Sequence, residues 1–268
     1  MIRKILLLII SVLSFIRIKE EYLIFDTLIK SNTNLSSFFL AILSFGIYIA
    51  PLAIMSYIAA KKYKLKFSYF LISIFFGLFV ISHWSGIANI KFHDILSGII
   101  KNKQFMDTWG PSIVPVIVEE GFKLTLALII IYIFNIKDIF NILLVGIGVG
   151  LGYQFSEDYA YILGAMIEGK NIFSEVLSRF SSAFAGHWIF NAFLTTGVGY
   201  LIFYKEKRKE YLSYFWIILP FLLHAIWNSP YVEKYPMLIY IIIPISWAFL
   251  FKLVKDIINT QKNNYGNI

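Results

Sequence analysis

The chain has 268 residues, of which 59% are hydrophobic, 18% aromatic and only 15% charged, a composition too apolar for an ordinary soluble domain. It contains no cysteine, which excludes disulfides, thiolate nucleophiles and cysteine-based zinc sites and leaves any metal to His, Asp, Glu and water. The formal charge of +8 does not point to nucleic acid, because the Lys and Arg residues form short clusters between apolar runs rather than a stripe on one face.

A helix needs about 20 apolar residues to cross a hydrocarbon core of ~30 Å. The first run, 5–16, falls short of that and lies between Arg3-Lys4 and Arg17, a pattern that also suits a signal-peptide core or an interfacial helix. No small-residue cleavage site of the Ala-x-Ala kind follows it, so the segment is expected to be retained. Seven longer runs come next, at about 38–60, 67–90, 112–134, 139–167, 180–204, 211–229 and 236–254. The richest basic clusters, 61–66 and 205–209, are expected on the cytoplasmic side, where short loops carry excess Lys and Arg. The resulting expectation is an all-α, polytopic transmembrane helix bundle of seven to eight spans in the cell membrane. It forms one integral domain over 1–268, surrounded by lipid, with no nucleic-acid partner.

Within these runs lie Glu119, Glu120, Lys123, Glu157, Asp158, His187 and His224. Each acidic or Lys side chain at mid-bilayer costs roughly 2.5–3.5 kcal/mol on the insertion scale, so such residues should face one another or a water-filled cavity. Four different helices deliver them to one depth, ~8–15 Å below the outer surface, given the rise per residue. A single site open to the outside is the expected result. Glu119 and Lys123 are four apart and share a helix face, so they are expected to pair and hold the carboxylate ionised. His187 with Asn191, and His224 with Asn228, repeat that spacing, and each pair can offer two donors to one oxyanion. The carboxylates and imidazoles can instead bind a divalent metal such as zinc with one position open for water, the candidate ligands being Glu119, Glu157, His187 and His224.

At these residues the chain resembles the PrsW family of intramembrane peptidases, within the wider group that includes the CAAX prenyl endopeptidases and bacteriocin-immunity proteins. Glu119-Glu120-Gly121-Phe122-Lys123 resembles that family's E-E-x-x-K signature, and 152–157 its Gly-aromatic segment ending in Glu. His187 follows Arg179 as in the third motif, and His224 to Asn228 resembles the closing His-x-x-x-Asn. Asp158 departs from the pattern, standing where the family commonly has Asn. The resemblance, from about Val118 to Asn228, implies a multi-pass protease that cuts a peptide bond of a membrane-tethered protein, such as an anti-sigma factor-like regulator, and the catalytic region is expected over 112–229. It implies Glu119 as the water-activating base, Glu120 and Lys123 as its electrostatic setting, and His224 with Asn228 as oxyanion donors. Glu157 and His187 would orient the water.

Two other readings use the same residues. Buried Glu, Lys and His also build the relays of proton- or ion-coupled transporters, although the inverted repeats common in carriers are not evident here. A non-catalytic immunity or sequestration protein can keep the frame without the reaction. The letters Gly110-Pro111-Ser112 spell a serine motif but suit a turn and helix start better. Gly146, Gly148, Gly150 and Gly152 read as a close-packing face that would bring Glu157 against the Glu119 helix.

Overall fold

Long apolar stretches with few interior breakers dictate helices, and helices are the only regular elements beyond short turns among the described residues. The structure is a computed structural model describing residues 1–30, 35–204 and 207–265; Lys205 and Glu206 of the second basic cluster lie outside the described residues. Helix α1 runs over Ile2–Lys30 without interruption, so the short first run is the opening half of a 29-residue helix. Its second half carries charge that is locally satisfied. Arg17 pairs with Glu20 and Glu21, the Tyr159 hydroxyl donates to Glu21 at 2.5 Å, and His83 lies 3.8 Å from Glu20.

The second run divides into α2 (Leu35–Ser44) and α3 (Gly46–Lys62). The third becomes α4 (Phe67–Phe76), a π-helical turn at Gly77–Ile81 and α5 (Ser82–Ile99). Helix α6 spans Lys103–Phe134, starting where the Asn102 side chain accepts from the Phe105 N–H at 3.0 Å. Gly110-Pro111-Ser112 therefore lies inside a helix, two turns past its start, and the expected turn at that point is absent. Helix α7, Ile139–Ile167, matches its run and begins with Asp138 accepting from the Asn141 N–H at 2.9 Å.

The run 180–204 does not form one helix. It breaks into α8 (Ile172–Ala183) and α9 (His187–Phe203), and the loose ends are tied by side chains. Two indole N–H groups take the carbonyls after the last turn of α8, Trp188 that of Ala183 at 2.9 Å and Trp247 that of Phe184 at 2.8 Å. The Gln154 side chain accepts the first N–H of α9, from His187, at 3.1 Å. Helices α10 (Lys207–Trp227), α11 (Pro230–Lys234) and α12 (Ile239–Tyr265) complete the bundle.

Helix α7 is the axis of the core, with most of its length buried. Its glycines explain how. A Cβ on Gly152 would collide with the Ile74 carbonyl of α4, and one on Gly150 with the His187 carbonyl of α9. The glycine face thus lets two backbones approach α7, as the spacing predicts, but those backbones belong to α4 and α9 rather than to the Glu119 helix.

Among the described residues, five segments are long and apolar enough to cross a membrane: Leu35–Lys62, Phe67–Ile99, Ile139–Ile167, Tyr211–Lys234 and Pro236–Gln261. Helices α6 and α9 are not among them, for reasons rooted in the polar centre. The apolar part of α6 contains Glu119, Glu120 and Lys123, and α9 has been cut to 17 residues by the break that puts His187 at its tip. Length and composition therefore support five spans, fewer than the seven to eight runs counted in the sequence.

Candidate active site

The antiparallel order of α6, α7, α9 and α10 carries the unusual residues to one end of the bundle. Glu119, Glu120 and Lys123 come from the middle of α6, Glu157 and Asp158 from the later half of α7, His187 from the first turn of α9, and His224 from the last turn of α10. They gather at a cavity of about 410 Å³, walled also by Pro111, Pro115, Phe190 and Trp227. Of the expected site residues, Glu119, Glu157, His187, His224 and Asn228 line it, whereas Glu120 and Lys123, like Asp158, are fully buried behind the wall.

Glu120, Lys123 and the two histidines form a connected network. Lys123 Nζ donates to Glu120 Oε1 at 2.7 Å and lies 2.8 Å from His187 Nδ1. Glu120 Oε1 also meets His224 Nδ1 at 2.9 Å. The expected pairing of Lys123 with Glu119 is not formed. Separations of three and four residues both place side chains on one helix face, and here His187 on α9 draws the ammonium to the Glu120 side. The Lys123 ammonium also lies 4.6 Å from the Tyr153 ring centre, a cation–π contact that further offsets the burial of its charge.

Glu119 makes no hydrogen bond within that network. Its Oε1 accepts from Asn89 Nδ2 at 3.1 Å, while its buried Oε2 has no hydrogen-bond partner and lies 3.9 Å from His224 Nε2. Asn228 Nδ2 lies 3.1 Å from the same His224 nitrogen. A buried carboxylate oxygen without a donor is costly. Glu119 is also one of the residues that line the cavity.

Beyond His187 a second polar layer links α7 to α8 and α3. His187 Nε2 lies 3.1 Å from Glu157 Oε2, which receives Arg179 Nη2 at 2.5 Å. Arg179 Nε donates to Asp158 at 2.6 Å, as do Gln154 at 3.0 Å and the Tyr48 hydroxyl at 2.7 Å. The carboxylate at 158 is thus the anchor of three donors, and an Asn there would keep one acceptor but lose the charge facing Arg179. Asn191 does not reach the cavity. Its Nδ2 donates to the Gly146 carbonyl at 2.8 Å, so the first His-Asn pair divides between site and packing, whereas the second stays together.

Asn89, Gln154 and Tyr48 act at or behind the site without having been singled out for roles by the sequence. Asn and Gln in apolar segments are a usable signal, since each needs partners in a membrane, but the partners lie on other helices and no spacing reveals them.

The donor set suits a divalent cation. Glu119, His187 and His224 are all buried and each offers a ligand atom within 4.8 Å of the others, the two-imidazole, one-carboxylate combination used by catalytic zinc, with Glu119 Oε2 still unpartnered. Glu157, the fourth candidate ligand, is engaged by Arg179 and by His187 Nε2. Both His187 nitrogens are engaged, Nδ1 by Lys123 and Nε2 by Glu157, so ligation through either would displace that contact.

No curated protein and no solved structure matches the chain. The family of PrsW intramembrane metalloproteases matches residues 63–254, a stretch that covers most of the chain and includes Asn89 together with the whole Glu119–His187–His224 centre, and the chain belongs to that family.

Proposed function

We propose that this membrane protease hydrolyses a peptide bond of a membrane-tethered protein, such as an anti-sigma factor-like regulator, at the Glu119 carboxylate. The observation that carries the reading is the buried, unpartnered Oε2 of Glu119 facing His224 across 3.9 Å at a cavity of about 410 Å³. Glu119 takes a proton from the attacking water as its oxygen bonds to the scissile carbonyl carbon, then returns that proton to the departing amine. Asn89 holds the other carboxylate oxygen and so fixes the direction of Oε2. In the absence of a metal, Asn228 and His224 form the donor side for the developing oxyanion, and Glu120 holds His224 at Nδ1. Glu157, braced by Arg179, and Lys123 fix the plane of His187 from its two nitrogens. Glu119, His187 and His224 would hold a divalent metal, which supplies a bound water of lowered pKa.

The experiment is cleavage of a panel of single-pass membrane proteins by purified enzyme, before and after exhaustive dialysis against a chelator. Cleavage is expected, with activity lost on dialysis and recovered with Zn²⁺. Full activity after verified metal removal would assign water activation to Glu119 alone, and no cleavage across a broad panel would reject the hydrolytic reading.

The span count follows from the same site. Helices α6 and α9 cross the membrane despite their polar residues, because those residues face one another and the cavity rather than lipid; added to the five apolar spans they give seven, and α1 makes eight. Basic clusters at 61–66 and 205–209 place the cavity on the outer side of the cell membrane. In this cysteine-free chain, a Glu168→Cys substitution just past α7 should react with an impermeant maleimide on intact cells. Labelling only after permeabilisation overturns the orientation.

A further inference from the structure

Pro111 and Pro115 lie inside α6 and line the cavity together with Glu119. The three are spaced by four residues and therefore share one helix face. Proline has no N–H, so the carbonyl four residues before each one loses its helical donor, and the ring pushes that carbonyl away from the helix axis. The two carbonyls are those of Asp107 and Pro111. Such interruptions are tolerated at membrane depth where they line a cavity, and each leaves an acceptor without its helical donor, Pro111 within the cavity lining and Asp107 one turn before it.

Their spacing matches an extended chain. Carbonyls four residues apart recur at about 6 Å along a helix, and the N–H groups on one edge of a strand recur every second residue, at about 6.6–6.8 Å. Glu119 follows Pro111 by eight residues, ~12 Å of helix, which an extended chain covers in about four residues. Beside Pro111, Ser112 Oγ donates to the Asn228 carbonyl at 2.6 Å and joins α6 to the end of α10.

We propose that the Asp107–Pro111–Pro115 face of α6 is a docking rail for the main chain of an unwound substrate segment. Two substrate N–H groups donate to the Asp107 and Pro111 carbonyls, and the chain continues along the face to bring a carbonyl to Glu119. This deepens the protease reading and rests on it. Recognition is through the backbone, as in strand addition, so the substrate class is any segment that can be extended, with proline excluded at the two donating positions.

The test is binding of fluorescein-labelled β-casein, a disordered chain, to the full-length Glu119→Gln protein in detergent, alone and combined with Pro111→Ala, Pro115→Ala or, as a control, Pro244→Ala in α12. Each of the first two restores an N–H that closes one carbonyl within the helix. The dissociation constant should rise about fivefold or more for each, the scale of one lost hydrogen bond, with thermal stability equal or higher and with no change in the control. Changes below twofold, or no saturable casein binding to the parent, overturn the rail. The two readings fail separately: unchanged binding in the proline variants beside wild-type cleavage of the membrane panel leaves the protease without the rail, whereas rail-dependent binding without any cleavage leaves the rail without the protease.

Discussion

Replacing Glu119 with Gln is expected to lower cleavage by about 10³-fold while leaving the fold and substrate affinity intact. A positioned general base contributes roughly 10²–10⁴ in rate, and nothing else at the site can take over that role. Glu120 has its Oε1 committed to Lys123 and His224, and Glu157 is held by Arg179 and His187. The amide is nearly isosteric, so the contact from Asn89 to Oε1 can persist and the protein should elute and melt like the parent. The rate would be measured on any substrate the wild type cuts, at saturating concentration, with melting temperature recorded for both. A Glu119→Gln enzyme within tenfold of wild type would remove Glu119 from the chemistry and turn attention to Glu157, the other cavity carboxylate.

Much of this centre was legible in the sequence because charge in an apolar run is costly and so needs a reason. Glu119, Glu157, His187 and His224 were placed at one depth by counting residues along antiparallel helices, and the structure brings them together. What was not legible depended on tertiary choice. Lys123 can reach either Glu119 or Glu120 along its own helix, and His187, 64 residues away, decides between them. Asn191 and Asn228 have identical spacing from a histidine, yet one turns to the Gly146 carbonyl and the other to the cavity. The break before His187 is hidden because hydropathy continues through Ala183-Phe184-Ala185; it is stabilised by Trp188, Trp247 and Gln154, whose bonds no local pattern announces. The glycines of α7 announced close packing but not its partner, since any backbone can fill a face without side chains.

The Glu120–Lys123 pair carries the other large effect. Both side chains are completely buried and 2.7 Å apart, so removing one leaves the other as an uncompensated charge, which costs about 3–5 kcal/mol. Lys123→Met should therefore lower the melting temperature markedly and reduce the yield of folded protein. Removing both charges is far less costly, because desolvation of the ions disappears along with their attraction. The double variant Glu120→Gln/Lys123→Met should recover most of the stability. It keeps an acceptor oxygen for His224 Nδ1 and lacks the donor at His187 Nδ1, leaving that ring oriented only by Glu157. Loss of a group that orients a catalytic imidazole typically costs about 10–100-fold, so the double variant is expected to be folded and to cut about 10–100-fold more slowly. Thermal unfolding in matched detergent, with cleavage rates on the same preparations, separates the two roles. A double variant as unstable as Lys123→Met would mean that Lys123 stabilises the bundle through Tyr153 and His187 rather than by neutralising Glu120, and a stable double variant with wild-type cleavage would remove the ammonium from the orientation of His187.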